Sequence, residues 1–205
     1  MLSKKYVGII MVFMVTVVLT SGCTSLNGVL DLINDKMCNK QLVNDTSYAN
    51  ISANTPTKTY SAYGIRFKYP RGWTVESENE SGSNMIFALK EISFNCVQFQ
   101  IQIVPNNGMS EEEAIRQIQD GNLVQSTISP SWEKKSSYTM TIDNKTAYED
   151  IFLVNDSHFS KIMRISQITL VKNDKTYLML LQAPDEEFDK EKPYFAIILN
   201  SLKFP

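Results

Sequence analysis

From Tyr60 onward, apolar and polar residues alternate. Ile65, Phe67 and Tyr69 are separated by Arg66 and Lys68, the period-two pattern of a half-buried strand, and Pro70-Arg-Gly-Trp73 turns the chain into a second strand near Thr74 to Ser77. Further strands are predicted at about Met85 to Ile92 and Cys96 to Val104. In Cys96-Val-Gln-Phe-Gln-Ile-Gln-Ile103 the odd-numbered positions are apolar, so Cys96 shares the other face with Gln98, Gln100 and Gln102. The period then lengthens to that of a helix: Ser110 is a plausible N-cap, Glu113 completes a capping box, and Ala114, Ile115 and Ile118 form a stripe predicted to end near Gly121. Two hairpins follow, Tyr138 to Ile142 with Thr146 to Val154 across Asp143-Asn144, and Lys161 to Val171 with Thr176 to Leu181 across Asn173-Asp174. A closing helix places Phe195, Ile198, Leu199 and Leu202 on one face, with Pro193 in its first turn or just before it. Strands interrupted by one helix and closed by another predict an α+β domain, an antiparallel sheet covered by helices. Residues 60–205 are enough for one self-sufficient core, and no internal repeat is visible.

Upstream the pattern changes. Residues 23–59 are polar and lack sustained periodicity, as a tether does, except that Leu26, Val29, Leu30, Ile33 and Met37 recur at helical spacing. Residues 1–22 have the parts of an export signal: Lys4 and Lys5, an apolar run from Tyr6 to Leu19, then the small residues Thr20-Ser-Gly before Cys23. The apolar run is shorter than the ~20 residues that a spanning helix needs. The series Val17-Val-Leu-Thr-Ser-Gly-Cys23 resembles the lipidation box of archaeal, methanogen-type surface lipoproteins, although Leu19 stands four residues before the cysteine rather than three. The expectation is cleavage before Cys23, lipid on its sulfur, and a domain held on the outer face of the cytoplasmic membrane; the alternative is an uncleaved N-terminal anchor. One acyl chain binds membranes only marginally, so stable attachment requires a second chain or a retained helix.

Loss of the signal leaves 18 basic and 22 acidic residues, a formal charge of −4. With Lys134-Lys135 the densest basic stretch, nucleic acid is excluded as a partner and polybasic attachment to anionic lipid is unsupported. Cys38 and Cys96 remain, and in an exported chain they either pair or stay as free thiols. Neither has a second Cys or His at ligand spacing, so no metal and no cofactor is expected. Asn44, Asn50, Asn79, Asn144 and Asn155 each open an N-glycosylation triplet, all expected in loops or in the tether.

Catalytic patterns fail on chemistry. His158, the only histidine, sits in the polar run Asn155-Asp-Ser-His-Phe, the composition of a turn rather than of a general base. Ser131-Trp-Glu-Lys134 has the bare Ser-x-x-Lys spacing but follows Pro130 and lacks the helix that aims the lysine at the serine. Glu76, Glu78 and Glu80 lack the spacing and turn glycine of a calcium loop. Asp185-Glu-Glu-Phe-Asp-Lys-Glu191 is a charge run at a helix start, where carboxylates favour the positive dipole end.

Two stretches, Tyr63-Gly-Ile-Arg-Phe-Lys-Tyr-Pro-Arg-Gly-Trp73 and Ile197-Ile-Leu-Asn-Ser-Leu-Lys-Phe204, resemble PsbP-like domains, relatives of an extrinsic subunit of the oxygen-evolving photosystem. The resemblance implies an α/β/α sandwich around an antiparallel sheet and a family that mostly binds or helps assemble protein complexes. No metal-binding or partner-binding residue of the photosystem subunit maps onto this chain. In physical terms Gly64 and Gly72 serve turns, Pro70 ends a strand and Trp73 fills the core. The function expected is therefore a monomeric, non-catalytic domain that binds a protein or membrane complex; the alternative is a divergent surface hydrolase or stress-response enzyme. Trp132 is the candidate contact residue, placed by the sequence in the loop Ser129-Pro-Ser-Trp-Glu-Lys-Lys135, with a core position as its alternative.

Overall fold

The computed structural model describes residues 55–80, 83–90, 97–129, 131–155 and 161–205. Cys23, Cys38, Cys96, Asn44, Asn50 and His158 lie outside the described residues. In chain order the elements are β1 (Thr57–Ala62), β2 (Ile65–Pro70), β3 (Trp73–Glu80), β4 (Ser83–Lys90), β5 (Gln98–Pro105), α1 (Glu111–Ile128), β6 (Trp132–Ile142), β7 (Lys145–Val154), β8 (Met163–Lys172), β9 (Lys175–Pro184) and α2 (Asp185–Ser201). Strands β3 to β9 form one sheet in the order β3-β4-β5-β9-β8-β7-β6 with every neighbour antiparallel, and β1-β2 is a separate hairpin. The architecture is a sheet-rich α+β fold, with two helices among the described residues.

Three two-residue turns set the hairpin registers. Tyr63-Gly64, Asp143-Asn144 and Asn173-Asp174 all have positive φ, the left-handed geometry whose twist matches that of the flanking strands. Gly64 is required twice over, since its φ is 79° and a Cβ there would lie 2.8 Å from the Pro205 ring. The hairpin β1-β2 is stitched to the C-terminal segment by Arg66 N–H donating to the Lys203 carbonyl at 3.0 Å and Lys203 N–H donating to that of Arg66 at 2.8 Å.

Side-chain alternation sorts the sheet into two faces. On one, Trp73, Ile86, Phe99, Ile101, Ile168, Leu170, Met179 and Leu181 join Phe188, Phe195 and Ile198 of α2 and Phe67 of β2 in the main core. Trp73 is 1% exposed and meets Phe195 edge to face at 5.9 Å, while Phe67 meets Phe99 at 5.7 Å. On the opposite face α1 packs Ala114 and Ile115 against Val171 and Tyr148. A further cluster on that face joins Phe152, Val154, Met163 and Ile165 to Trp132 and Leu180.

The capping box forms as read: Ser110 Oγ accepts from Glu113 N–H at 3.2 Å, and Glu113 Oε2 accepts from Ser110 N–H at 3.0 Å. Four expectations need correction. Helix α1 does not stop at Gly121 but runs to Ile128, because a glycine ends a helix only where the chain turns left-handed, and Gly121 keeps a helical φ while the sheet continues beneath it. Pro193 lies inside α2 as its ninth residue, at the cost of one backbone hydrogen bond; burial of Phe188 and Phe195 on either side of it holds the helix together. Asn79 belongs to β3 rather than to a loop. Trp132 opens strand β6 instead of lying in a loop, and its ring stands edge-on to Phe152 at 5.9 Å.

Candidate binding site

Strand β6 is one edge of the seven-stranded sheet and carries a bulge between Lys134 and Ser136. The bulge has a chemical consequence. Residues 134 and 137 would face opposite sides of a regular strand, but the extra residue, Lys135, restores Ser137 to the side of Lys134. Both reach the same carboxylate on β7. Lys134 Nζ lies 2.9 Å from Asp150 Oδ1, Ser137 Oγ donates to that oxygen at 2.7 Å, and Asn122 Nδ2 from α1 donates to Oδ2 at 2.8 Å. Gln167 Nε2 of β8 then donates to Asn122 Oδ1 at 2.9 Å. Asp150, Asn122 and Gln167 are all at most 5% exposed, so this polar chain ties α1 to three strands in a dry place.

Beside it lies an open hollow of about 470 Å³, bordered by Gln119 of α1, Ser137 and Thr139 of β6, and Tyr148 and Asp150 of β7. Tyr138, next along β6, is 58% exposed. The Ser137 hydroxyl is committed to Asp150, and the Lys134 ammonium is committed to the same oxygen. Among the described residues no imidazole completes a nucleophile-base pair there, and no three His, Cys, Asp or Glu side chains converge as metal ligands. The arrangement supplies donors and acceptors at a surface; it does not supply an activated nucleophile.

The remaining ionic groups brace the fold. Lys90 Nζ sits 2.6 Å from Glu191 Oε1, both side chains buried, and burial pushes the Glu191 carboxyl above the ordinary range against the pull of Lys90. At the β6-β7 turn Asp143 accepts from Lys203 Nζ at 2.8 Å, Lys172 Nζ at 3.0 Å and Phe204 N–H at 3.2 Å, and hydrogen bonding from Lys203 above all holds its carboxyl well below the usual range. The acidic run at residues 185–191 opens α2, where Arg164 bridges Asp185 and Asp189. Of the glycosylation triplets, Asn144 lies exposed in the β6-β7 turn and Asn155 exposed just after β7.

With the geometry in place, the chain can be set beside known proteins. A family profile described as PsbP-like protein matches residues 8–204. The chain belongs to the PsbP-like family. Among solved structures, cyanobacterial PsbP from Synechocystis sp. PCC 6803 is similar with a TM-score of 0.51 and 14% identity, over 77% of this chain and 97% of that one. The Ran-binding protein Mog1p of Saccharomyces cerevisiae is similar with a TM-score of 0.51 and 10% identity, over 73% of this chain and 96% of that one. At such identities these likenesses establish the shared fold. No curated protein matches the chain.

Sequence reasoning missed the Asp150 cluster. Lys134 and Ser137 sit at an odd spacing that a regular strand would send to opposite faces, and Asn122 lies beyond the predicted end of its helix. The one available signal was the i, i+4 step from Ile118 to Asn122, which puts an amide on the apolar stripe.

Proposed function

We propose that this protein is a lipoprotein held on the outer face of the cytoplasmic membrane, whose PsbP-like domain recognises a protein or membrane complex without catalysing a reaction. The observation that carries the binding half is the outer edge of β6, which no described strand pairs with, an eleven-residue strand that displays Tyr138 and borders the hollow at Ser137. An edge strand offers unpaired backbone donors and acceptors, and an exposed aromatic beside it supplies the kind of anchor that interfaces use. The family and the fold shared with a Ran-binding protein support a binding role. The lipoprotein half rests on the Lys4-Lys5, apolar run and Gly22-Cys23 series. The contact reading passes from Trp132 to Tyr138, because the Trp132 ring is packed on Phe152.

The test is affinity capture of the native protein from solubilised membranes, repeated with Tyr138→Ala. A partner retained at least ~5-fold less well by the variant, about 1 kcal/mol, at an unchanged melting temperature supports the edge. Equal retention sinks it. Cys23→Ser should release the domain into the soluble fraction, and reproducible hydrolysis of an ester, peptide or glycan by the purified protein would overturn the non-catalytic reading.

A further inference from the structure

A seven-stranded sheet with strands ~4.8 Å apart is roughly 30 Å wide, about three helices across. On the face away from the main core α1 lies over β8 and β6, and α2 lies on the other side of the sheet. Strands β4, β5 and β9 therefore have no described helix above their second face. Several of their side chains there are nevertheless sequestered: Met85 and Gln102 are 4% exposed, Gln100 is 1% exposed and Gln182 is 6% exposed, while Phe87, Leu89, Gln98 and Leu180 are half-buried. The Gln100 amide has no partner at either its nitrogen or its oxygen, and Gln117 Oε1, on α1, is likewise buried and unpartnered. A buried amide left so costs free energy unless something brings it a partner.

We propose that the chain's own segment Leu26–Met37 occupies this trough as a helix alongside α1. Twelve helical residues span about 18 Å, enough to cross three strands. The stripe Leu26, Val29, Leu30, Ile33 and Met37 provides the apolar face that Met85, Leu178 and Leu180 require, and Asn27 and Asn34 flank it with the donors and acceptors that Gln100 lacks. The connection is long enough. Residues 38–54 extend to as much as ~55 Å, sufficient to pass from this face around the β3 edge to Thr57, where β1 begins beside the opposite face. A docked segment starts three residues after Cys23, so in the lipoprotein reading, on which this consequence alone rests, the domain sits against the membrane rather than at the end of a thirty-residue leash.

Hydrogen exchange read by mass spectrometry tests the docking on two preparations, the full-length protein in detergent and its Cys23→Ser variant without detergent. Docking predicts that amides 26–37 exchange at least ~10-fold more slowly than amides 44–54 in both, that Ile33→Asp removes this protection and speeds exchange in β4 and β5, and that Asp35→Asn, on the far side of the helix, leaves both unchanged. Fast exchange of 26–37 in both preparations overturns the proposal. Protection that disappears in the Cys23→Ser variant overturns it too, by identifying the lipid surface as the occupant. Intact mass reports lipidation separately, so an unlipidated Cys23 leaves the docking result standing.

Discussion

Replacing Asp150 by Ala removes the acceptor on which Lys134, Ser137 and Asn122 converge. The Lys134 ammonium is 27% exposed and recovers water, so its loss amounts to about 0.5–1 kcal/mol. Ser137 is itself exposed and can turn to water, so its hydrogen bond amounts to roughly 0.5–1 kcal/mol. Asn122 is 3% exposed and cannot turn to solvent, so orphaning its Nδ2 costs about 1–3 kcal/mol. The sum is near 4 kcal/mol, a fall in melting temperature of about 10 °C for a domain of this size. Asp150→Asn keeps the shape but sets one amide nitrogen against a donor and discards the charge facing Lys134, and should lose about half as much. Urea unfolding at pH 7 measures both variants, and a double-mutant cycle with Lys134→Met isolates the ionic part. A loss below ~1 kcal/mol for Asp150→Ala would refute the view that this network braces β6 to α1. A gain in stability for Asp150→Asn would refute it more instructively, because proteins retain a destabilising polar group chiefly where function requires it.

Asp143→Ala should destabilise by about 1–2 kcal/mol at pH 7 by releasing Lys203, Lys172 and Phe204 N–H. Its carboxyl is held below the ordinary range in the folded state, so the stabilisation is complete above the unfolded-state value near 4 and is lost as pH falls through the lower folded value; thermal melts of the two proteins should converge under strong acid. Trp132→Ala should lower stability by about 2 kcal/mol through lost packing on Phe152, seen as a lower urea midpoint, and an unchanged midpoint would return Trp132 to the surface. A bridge between Cys38 and Cys96, if the two pair rather than stay as free thiols, contributes roughly 4 kcal/mol in the chain-entropy model; alkylation of the unfolded, unreduced protein then labels neither, and two labels would rule the bridge out.

The strands were legible because each half of the period has one environment. Phe99, Ile101 and Ile103 are all buried in the main core, as their alternation with glutamines required. The turns were legible for the same local reason, since Asp143-Asn144 and Asn173-Asp174 are residues that tolerate positive φ. Tertiary burial is where local rules gave way. Gly121 and Pro193 are stop signals only if the helix has nothing to gain by continuing, and here the sheet beneath α1 and the aromatic cluster around α2 outweigh their roughly 1 and 3 kcal/mol penalties. Alternation sorts residues to a face but does not say what covers it: Gln100 and Gln102, opposite the apolar row, are buried too.

The polar interior explains why the candidate site resisted reading. A functional cluster is legible when its members keep a fixed spacing, as metal ligands on a helix do. Asp150, Lys134, Ser137, Asn122 and Gln167 come from four elements and meet only because a bulge re-phases β6 and α1 crosses β8 above Gln167. Lys90 and Glu191 are likewise 101 positions apart and become partners only once α2 lies on the sheet. Both clusters stand where an element is joined to the sheet from outside, α1 and β6 in one case and α2 and β4 in the other. An ionic or amide contact at such a junction has one satisfied geometry, so it fixes how the covering element sits more strictly than apolar packing does. That constraint bears on recognition, because the face presented by β6 to a partner is only as well defined as the bulge and the Asp150 anchor that hold the edge in place.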